Sequence, residues 1–265
     1  MEGATADTQG LPVAGDGRAS MVAAEGLVYR YPGETEAAVN DLSLTVGAGE
    51  LFGLLGPNGA GKTTTIALLT GLRRPGRGRL QVCGVDLLAR PAQVRSRIGL
   101  VPQEIALYPS LSARENLRYF GTLAGLSGLR LRSRVEECLD LVGLRDKGDR
   151  RVGTFSGGMK RRANLAAGIV HRPGLLFLDE PTVGIDPQSR NTILENLARL
   201  REEGTTLIYT THYMEEAQQI CTRLAIVDGG RVIVQGAPAE LIAQGRGCRN
   251  LEELFLQLTG RQLRD

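Results

Sequence analysis

The run Gly56-Pro57-Asn58-Gly59-Ala60-Gly61-Lys62-Thr63 sets two glycines apart by four residues and follows the second with Lys-Thr. That spacing suits a phosphate. Glycines let successive backbone N–H groups curl around phosphate oxygens, and a following helix adds favourable potential at its N-terminus. Lys62 then reaches the β- and γ-phosphates, and the Thr63 hydroxyl offers an oxygen to magnesium. Thr64 is either the next helical residue or one more phosphate contact. The run "LLFLDE" ends in two carboxylates, Asp179 and Glu180. Asp179 can hold the metal directly or through water, and Glu180 can orient or deprotonate an attacking water. Taken alone, the pair could equally be polarity at a strand end.

A third stretch is harder to place. "TFSGGMKRR" carries a second glycine turn, although one nucleotide needs one cradle. Ser156 has N-cap chemistry, and Gly157 and Gly158 leave the first N–H groups of a helix unscreened by side chains. A helix N-terminus contributes about 0.3–2 kcal/mol toward an anion. That is too little for a standing phosphate site but enough to help close one that another loop has filled. The plain alternative is an ordinary capped helix.

The elements that must position these groups can be read in order. Residues 1–20 lack periodicity and read as a disordered tail. "LVYRY", "AVNDLSLTV" and "ELFGLLG" suggest antiparallel strands leading into a buried strand at Leu51–Leu55. A helix reading "TTIALLTGL" and a strand around "GRLQVCG" follow the phosphate loop. From about 104 to 170 the spacing turns helical, as in "SARENLRYFGTLAG" and "SRVEECLDLVGL", which marks an inserted helical subdomain. Beyond it, "LLFLDE", "PQSRNTILENLARLRE", "TTLIYTTH", "YMEEAQQIC" and "RLAIVD" alternate strand and helix, the pattern of a parallel sheet. The fold class is therefore α/β. In "NLEELFLQLTG", Leu251, Leu254, Phe255 and Leu258 share a helical face expected to pack on the chain's own domain.

Composition narrows the function classes. The chain has 265 residues, a net charge of +3 and 42% hydrophobic residues. No run of eighteen apolar residues is present, and the first residues lack the basic start and apolar stretch of a secretory signal. A cytoplasmic protein is the expectation. The modest charge gives no support to a nucleic-acid partner. The clusters "RRPGRGR" and "KRR" read as solvated faces. Cys83, Cys138, Cys221 and Cys248 have no metal-ligand spacing and read as free thiols. Among 32 Lys plus Arg, only Lys62, Lys147 and Lys160 are Lys, and Lys62 sits where a compact ammonium fits between phosphates better than a planar fork.

Together these motifs resemble one family, the nucleotide-binding subunits of ABC transporters, over about residues 21–235. "GPNGAGKTT" resembles their Walker A, Gln103 in "VPQE" their Q-loop and "FSGGMKRR" their signature motif. "LLFLDEP" resembles Walker B, Asp186 in "GIDP" the D-loop and His212 in "TTHYMEEA" the switch histidine. Tyr31 in "YRYPG" falls where the family stacks an aromatic on adenine. A lone histidine at a strand end is ordinarily structural; the resemblance implies instead that His212 contacts the γ-phosphate.

The resemblance implies a P-loop NTPase core with an N-terminal antiparallel β subdomain and an inserted α-helical subdomain, followed by a helical extension at 236–265. It implies ATP and Mg2+, the metal held by Thr63, Gln103 and Asp179. In the family two cassettes meet head to tail, so Ser156, Gly157 and Gly158 would cap the ATP of a second copy, with Asp186 at the interface. Gln103 would sense the γ-phosphate. A separate membrane permease would dock on the helical subdomain and hold the chain at the cytoplasmic face of the membrane. Phe155 and Met159 replace the usual Leu and Gln of the signature, which leaves the serine and the N–H groups in place. "SGGMKRR" with "LEELFLQLTGR" resembles the drug, lipid and polysaccharide exporters, the group containing daunorubicin-resistance pumps. The alternatives are a soluble ABC ATPase acting on ribosomes or nucleic acid, and an importer ATPase.

Overall fold

The computed structural model describes residues 20–260. The expected tail lies outside the described residues except for Ser20, which already begins a strand. β1 (Ser20–Tyr29) and β2 (Val39–Gly47) pair antiparallel ahead of β3 (Leu51–Leu55). The glycine turn and α1 (Lys62–Leu69) follow, then β4 (Arg77–Val82), β5 (Val85–Asp86), α2 (Pro91–Arg95) and β6 (Ile98–Val101). The helical stretch holds α3 (Ala113–Leu123), α4 (Gly128–Leu141), two short 3₁₀ turns and α5 (Gly157–Ile169). β7 (Leu175–Asp179), α6 (Pro187–Glu202), β8 (Thr206–Thr211), α7 (Met214–Ile220) and β9 (Arg223–Asp228) then alternate. β10 (Arg231–Gly236), α8 (Pro238–Gln244) and α9 (Leu251–Thr259) close the described chain.

Two sheets result. One is antiparallel, in the order β2-β1-β4-β5; the other runs β10-β9-β3-β8-β7-β6 and is parallel except for β10. The period of two along each strand divides the parallel sheet between two cores. Leu51 and Leu55 of β3, Leu176 and Leu178 of β7, and Leu207 and Tyr209 of β8 face the helices α3 to α9. Phe52, Leu54, Leu175, Phe177 and Ile208 face α1 and the antiparallel sheet. Strands covered on both sides read as unbroken apolar runs, which is why β3 and β7 stand out in the sequence.

β6 does not stand out, because "IGLV" is short and its glycine is a packing device. A Cβ on Gly99 would meet the Gly168 carbonyl oxygen at 2.4 Å, and one on Gly168 would meet Val101 at 2.6 Å, so α5 lies backbone to backbone on β6. In the C-terminal segment, β10 pairs with β9 and only then do helices begin. Leu251, Leu254 and Phe255 pack into the chain's own core as expected, whereas Leu258 points outward at 41% exposed. The four cysteines are free; Cys138 and Cys221 are buried, and burial pushes both thiols up.

Glu50, 2% exposed at the start of β3, is paired with Arg223 of β9 through contacts of 3.0 and 3.3 Å. Removing one partner of such a pair strands a buried charge. Arg223→Ala is expected to lower stability by about 3 kcal/mol in urea unfolding, and adding Glu50→Leu to recover most of it. Equal midpoints for Arg223→Ala and the parent would show that the pair is not needed.

Candidate active site

The parallel strands bring their C-terminal ends to one edge, where open α/β sheets bind ligands. β3 runs into the glycine turn, β6 into Gln103, β7 into Asp179–Glu180 and β8 into His212. The turn is tight for a steric reason. A Cβ on Gly56 would lie 2.2 Å from the Val227 oxygen, and one on Gly61, at φ 96°, would lie 2.3 Å from the Ala38 oxygen. Gly59, at φ 83°, has open space around it. Ala60 is buried; Pro57 offers its carbonyl inward, and its oxygen also accepts from the Ala60 N–H at 3.1 Å. No acidic residue sits in the first turn of α1 to compete with an anion.

A cleft of about 360 Å³ opens here, between Tyr31, Asn58, Gly59 and Thr63 on one side and Gln103 and Glu180 on the other. Lys62, 5% exposed, donates to the Gly56 and Pro57 oxygens at 2.9 and 3.1 Å and pairs with Glu180 at 3.2 Å. Gln103 Nε2 donates to the other Glu180 oxygen at 3.3 Å, and His212 Nδ1 lies 3.5 Å from Oε1. Glu180 is thus a buried carboxylate on which three side chains from three segments converge. Its φ of 46° lies in the left-handed region, a strained conformation for a side-chain-bearing residue of the kind that gathers at functional sites. Thr210 fixes both carboxylate residues: its hydroxyl donates to Asp179 Oδ1 at 2.7 Å and accepts from the Glu180 N–H at 2.9 Å. Tyr31 sits at the mouth, its hydroxyl 3.1 Å from Thr64 Oγ1 and its ring 4.7 Å from the Arg73 guanidinium.

The residues fit a magnesium triphosphate. The cradle tolerates no side chain at Gly56 or Gly61, a nearly buried ammonium reaches into it, and the metal donors would be the oxygens of Thr63, Gln103 and Asp179. Hard oxygen donors with one carboxylate match magnesium, which takes the rest of its shell from phosphate and water. A larger cavity of about 550 Å³ lies at the far end of α5. Its arginines, Arg134, Arg172 and Arg199, are already paired with Glu137 and Glu203, and it contains no phosphate loop.

Ser156, Gly157, Gly158 and Asp186 are not in the cleft but together elsewhere. Ser156 caps α5, accepting from the Met159 N–H at 3.3 Å, which leaves its hydroxyl proton free to donate. Asp186 caps α6, accepting from the Ser189 N–H at 2.9 Å, and that bond holds its carboxyl below the usual range. The two glycines differ. Gly157 is exposed, and a Cβ there would meet nothing nearer than 4.0 Å, whereas a Cβ on Gly158 would strike Ser189 Oγ at 2.0 Å and approach Asp186 at 3.0 Å. Gly158 therefore has a packing reason as well as an electrostatic one: it seats the signature turn on the start of α6.

The cluster "KRR" is not a solvated face. Arg161 donates to the carbonyls of Gln103 and Val183, and Arg162 caps the end of α4 through the Val142 oxygen at 2.8 Å. Asn164, buried on the same helix, accepts from the Ala106 N–H and donates to the Pro102 oxygen. α5 thus grips the Gln103 loop at three points, a role no local spacing signals. The arginines of "RRPGRGR" are exposed as expected, although Arg73 also covers Tyr31.

Residues 39–183 match the ABC transporter family. The chain belongs to that family. It is 46% identical to the linearmycin resistance ATP-binding protein LnrL of Bacillus subtilis (strain 168), over 90% of this chain and 75% of that one. It is 47% identical to the Nod factor export ATP-binding protein I of Burkholderia lata, over 81% and 70%. A solved ATP-binding subunit of an ABC transporter superposes with a TM-score of 0.81 at 29% identity, over 90% of this chain and 99% of that one. An ATP-binding cassette solved as a dimer after hydrolysis, with ADP and Pi, gives 0.75 at 25% identity, over 82% and 98%. The chain is an ABC ATPase.

Gly158→Ala is expected to lower the melting temperature by several degrees, since one misplaced methyl in close packing costs about 1–3 kcal/mol. Adding Ser189→Gly removes the obstructing atoms and should restore most of the loss. No recovery in the double variant would mean that the contact with Ser189 is not what excludes a side chain.

Proposed function

We propose that the chain drives export through a separate membrane permease, working as two copies closed on two ATP–Mg2+. The observation that carries the hydrolytic part is the convergence of Lys62, Gln103 and His212 on the buried Glu180. Phosphates entering the cleft would replace Glu180 as the counter-ion of Lys62 and free its carboxylate to accept a proton from water. His212 and Gln103, now beside that carboxylate, would face the γ-phosphate and the attacking water. Magnesium, held by Thr63, Gln103 and Asp179, would neutralise charge on the β- and γ-oxygens. Tyr31 would stack on the adenine, and Asn58, Gly59 and Thr64 would line the phosphates.

The pairing of copies rests on where the other half of the machinery sits. Ser156, with a free hydroxyl proton, and the exposed Gly157 lie outside the cleft that would use them. A second copy facing the first would bring them to its phosphates, with Asp186 between the two. The permease reading rests on α3 and the loop before it, where Tyr108, Tyr119 and Leu123 are 46%, 41% and 68% exposed. That apolar surface adjoins the Gln103 loop, and no helix among the described residues is long and apolar enough to cross a membrane. Such a docking place would set the chain at the cytoplasmic face. Export is supported by the names of the relatives, one a resistance protein and one an export protein.

Glu180→Gln is expected to keep ATP binding while turnover falls by about 100-fold or more, and to elute as a dimer with ATP and Mg2+. Parent-rate hydrolysis in that variant would remove Glu180 as the base. Leu123→Glu, outside the cleft, should leave ATP affinity intact yet abolish copurification with a polytopic membrane protein. Retained copurification would move the docking site off α3.

A further inference from the structure

We propose that Glu216 and Arg190 are positioning residues, forming a link that sets His212 according to the place of α6. This deepens the reading of His212 given above and rests on it for the catalytic half of its test.

Glu216 lies four residues after His212, in the first turn of α7, and is 6% exposed. A carboxylate so placed is costly unless paired and hydrogen-bonded. Here three segments meet it. Oε2 accepts from the hydroxyls of Tyr209, on β8, and of Thr182, two residues past Glu180, the latter at 2.9 Å. Oε1 faces Arg190 Nε of α6 at 3.2 Å. The Tyr209 and Thr182 hydroxyls are themselves 3.3 Å apart, so one carboxylate ties together the strand before His212 and the segment after Glu180.

Arg190 has a second contact. Its guanidinium carbon lies 4.9 Å from the centre of the Tyr213 ring, within the range of a cation–π interaction. Tyr213 in turn lies against His212, ring centres 4.1 Å apart, and His212 reaches Glu180 at 3.5 Å. The main-chain N–H of Arg190 donates to the main-chain carbonyl of Asp186, the ordinary first-turn hydrogen bond of α6, so Arg190 rides on the helix that Asp186 caps. A continuous run of contacts therefore leads from Asp186, at the proposed junction between copies, to the carboxylate proposed as base. A carboxylate serving only to anchor α7 would need the arginine as counter-ion, but not the stacking of that arginine on the residue next to His212. The pair meets at 3.2 Å without hydrogen-bond geometry at either atom, so charge attraction and not a directed bond places the guanidinium between Glu216 and the Tyr213 ring.

Two measurements test this. The chain has two histidines, His171 and His212, so isotope-labelled histidine gives two ring signals in the intact protein. His171 is held at a distance from the link, its Nε2 2.9 Å from the Ile98 oxygen. Arg190→Ala and Glu216→Gln should each move the His212 signal and leave that of His171 in place, without nucleotide. Glutamine keeps an acceptor for the two hydroxyls and loses the charge opposite Arg190. An unmoved His212 signal in both variants overturns the link. The second measurement is a cycle of kcat values for Arg190→Ala, His212→Ala and the double variant. The expectation is that Arg190→Ala slows turnover about tenfold with KM for ATP unchanged, and adds less than about twofold once His212 is gone. Losses that multiply independently overturn the link while leaving His212 its role. If His212→Ala turns over at the parent rate, both the role proposed for His212 and the link to catalysis fall together.

Discussion

The arrangement of this protein depends on holding one carboxylate, that of Glu180, in a buried place where only a cation and polar groups surround it. An unpaired charge there would be expelled or neutralised. Lys62 supplies the opposite charge, but only because β3, which delivers the glycine turn, is hydrogen-bonded to β8, and β8 to β7. The three strands end level with one another, so the ammonium, the carboxylate and His212 arrive within a few ångströms from points far apart in sequence. The strain at φ 46° and the grip of Thr210 belong to the same constraint: the carboxylate is aimed across the strand end, where an extended backbone would not put it.

A second constraint keeps the signature turn out of its own chain's cleft. Gly158 has no side chain because Ser189 occupies that space, and Asp186 and Ser156 cap neighbouring helices at the same place. The turn is therefore welded to the start of α6 and not to the phosphate loop. Meanwhile α5, which begins at that turn, holds the Gln103 loop through Arg161 and Asn164. One helix thus connects the loop that carries a residue of the cleft with an exposed turn outside it.

Much of this was legible in the sequence, and the reasons are physical. β3 and β7 are covered on both faces, so their apolar runs are unbroken, and α6 and β9 fall where the alternation puts them. The phosphate loop and the two carboxylates suggest their chemistry by residue type and spacing, whereas His212 is singled out only by the family resemblance. What escaped notice depends on contacts between distant segments. β6 is four residues long and partly glycine, Arg161 looks like surface charge until the carbonyls it reaches are known, and Leu258 shares a helical face that the core does not wholly cover. The Glu216 cluster joins residues of β8, α6, α7 and the turn after β7, and no window of sequence contains it.

The close approach of Gly99 and Gly168 bears on how such a machine moves. With the two backbones this close, and the Val101, Leu176 and Pro173 side chains filling what space is left around the glycines, that end of α5 has no room to rock against the sheet. The other end is seated as firmly, where Gly158 meets Ser189 of α6, so α5 is clamped at both ends and a displacement of the Gln103 loop must carry the sheet edge and α6 along with it.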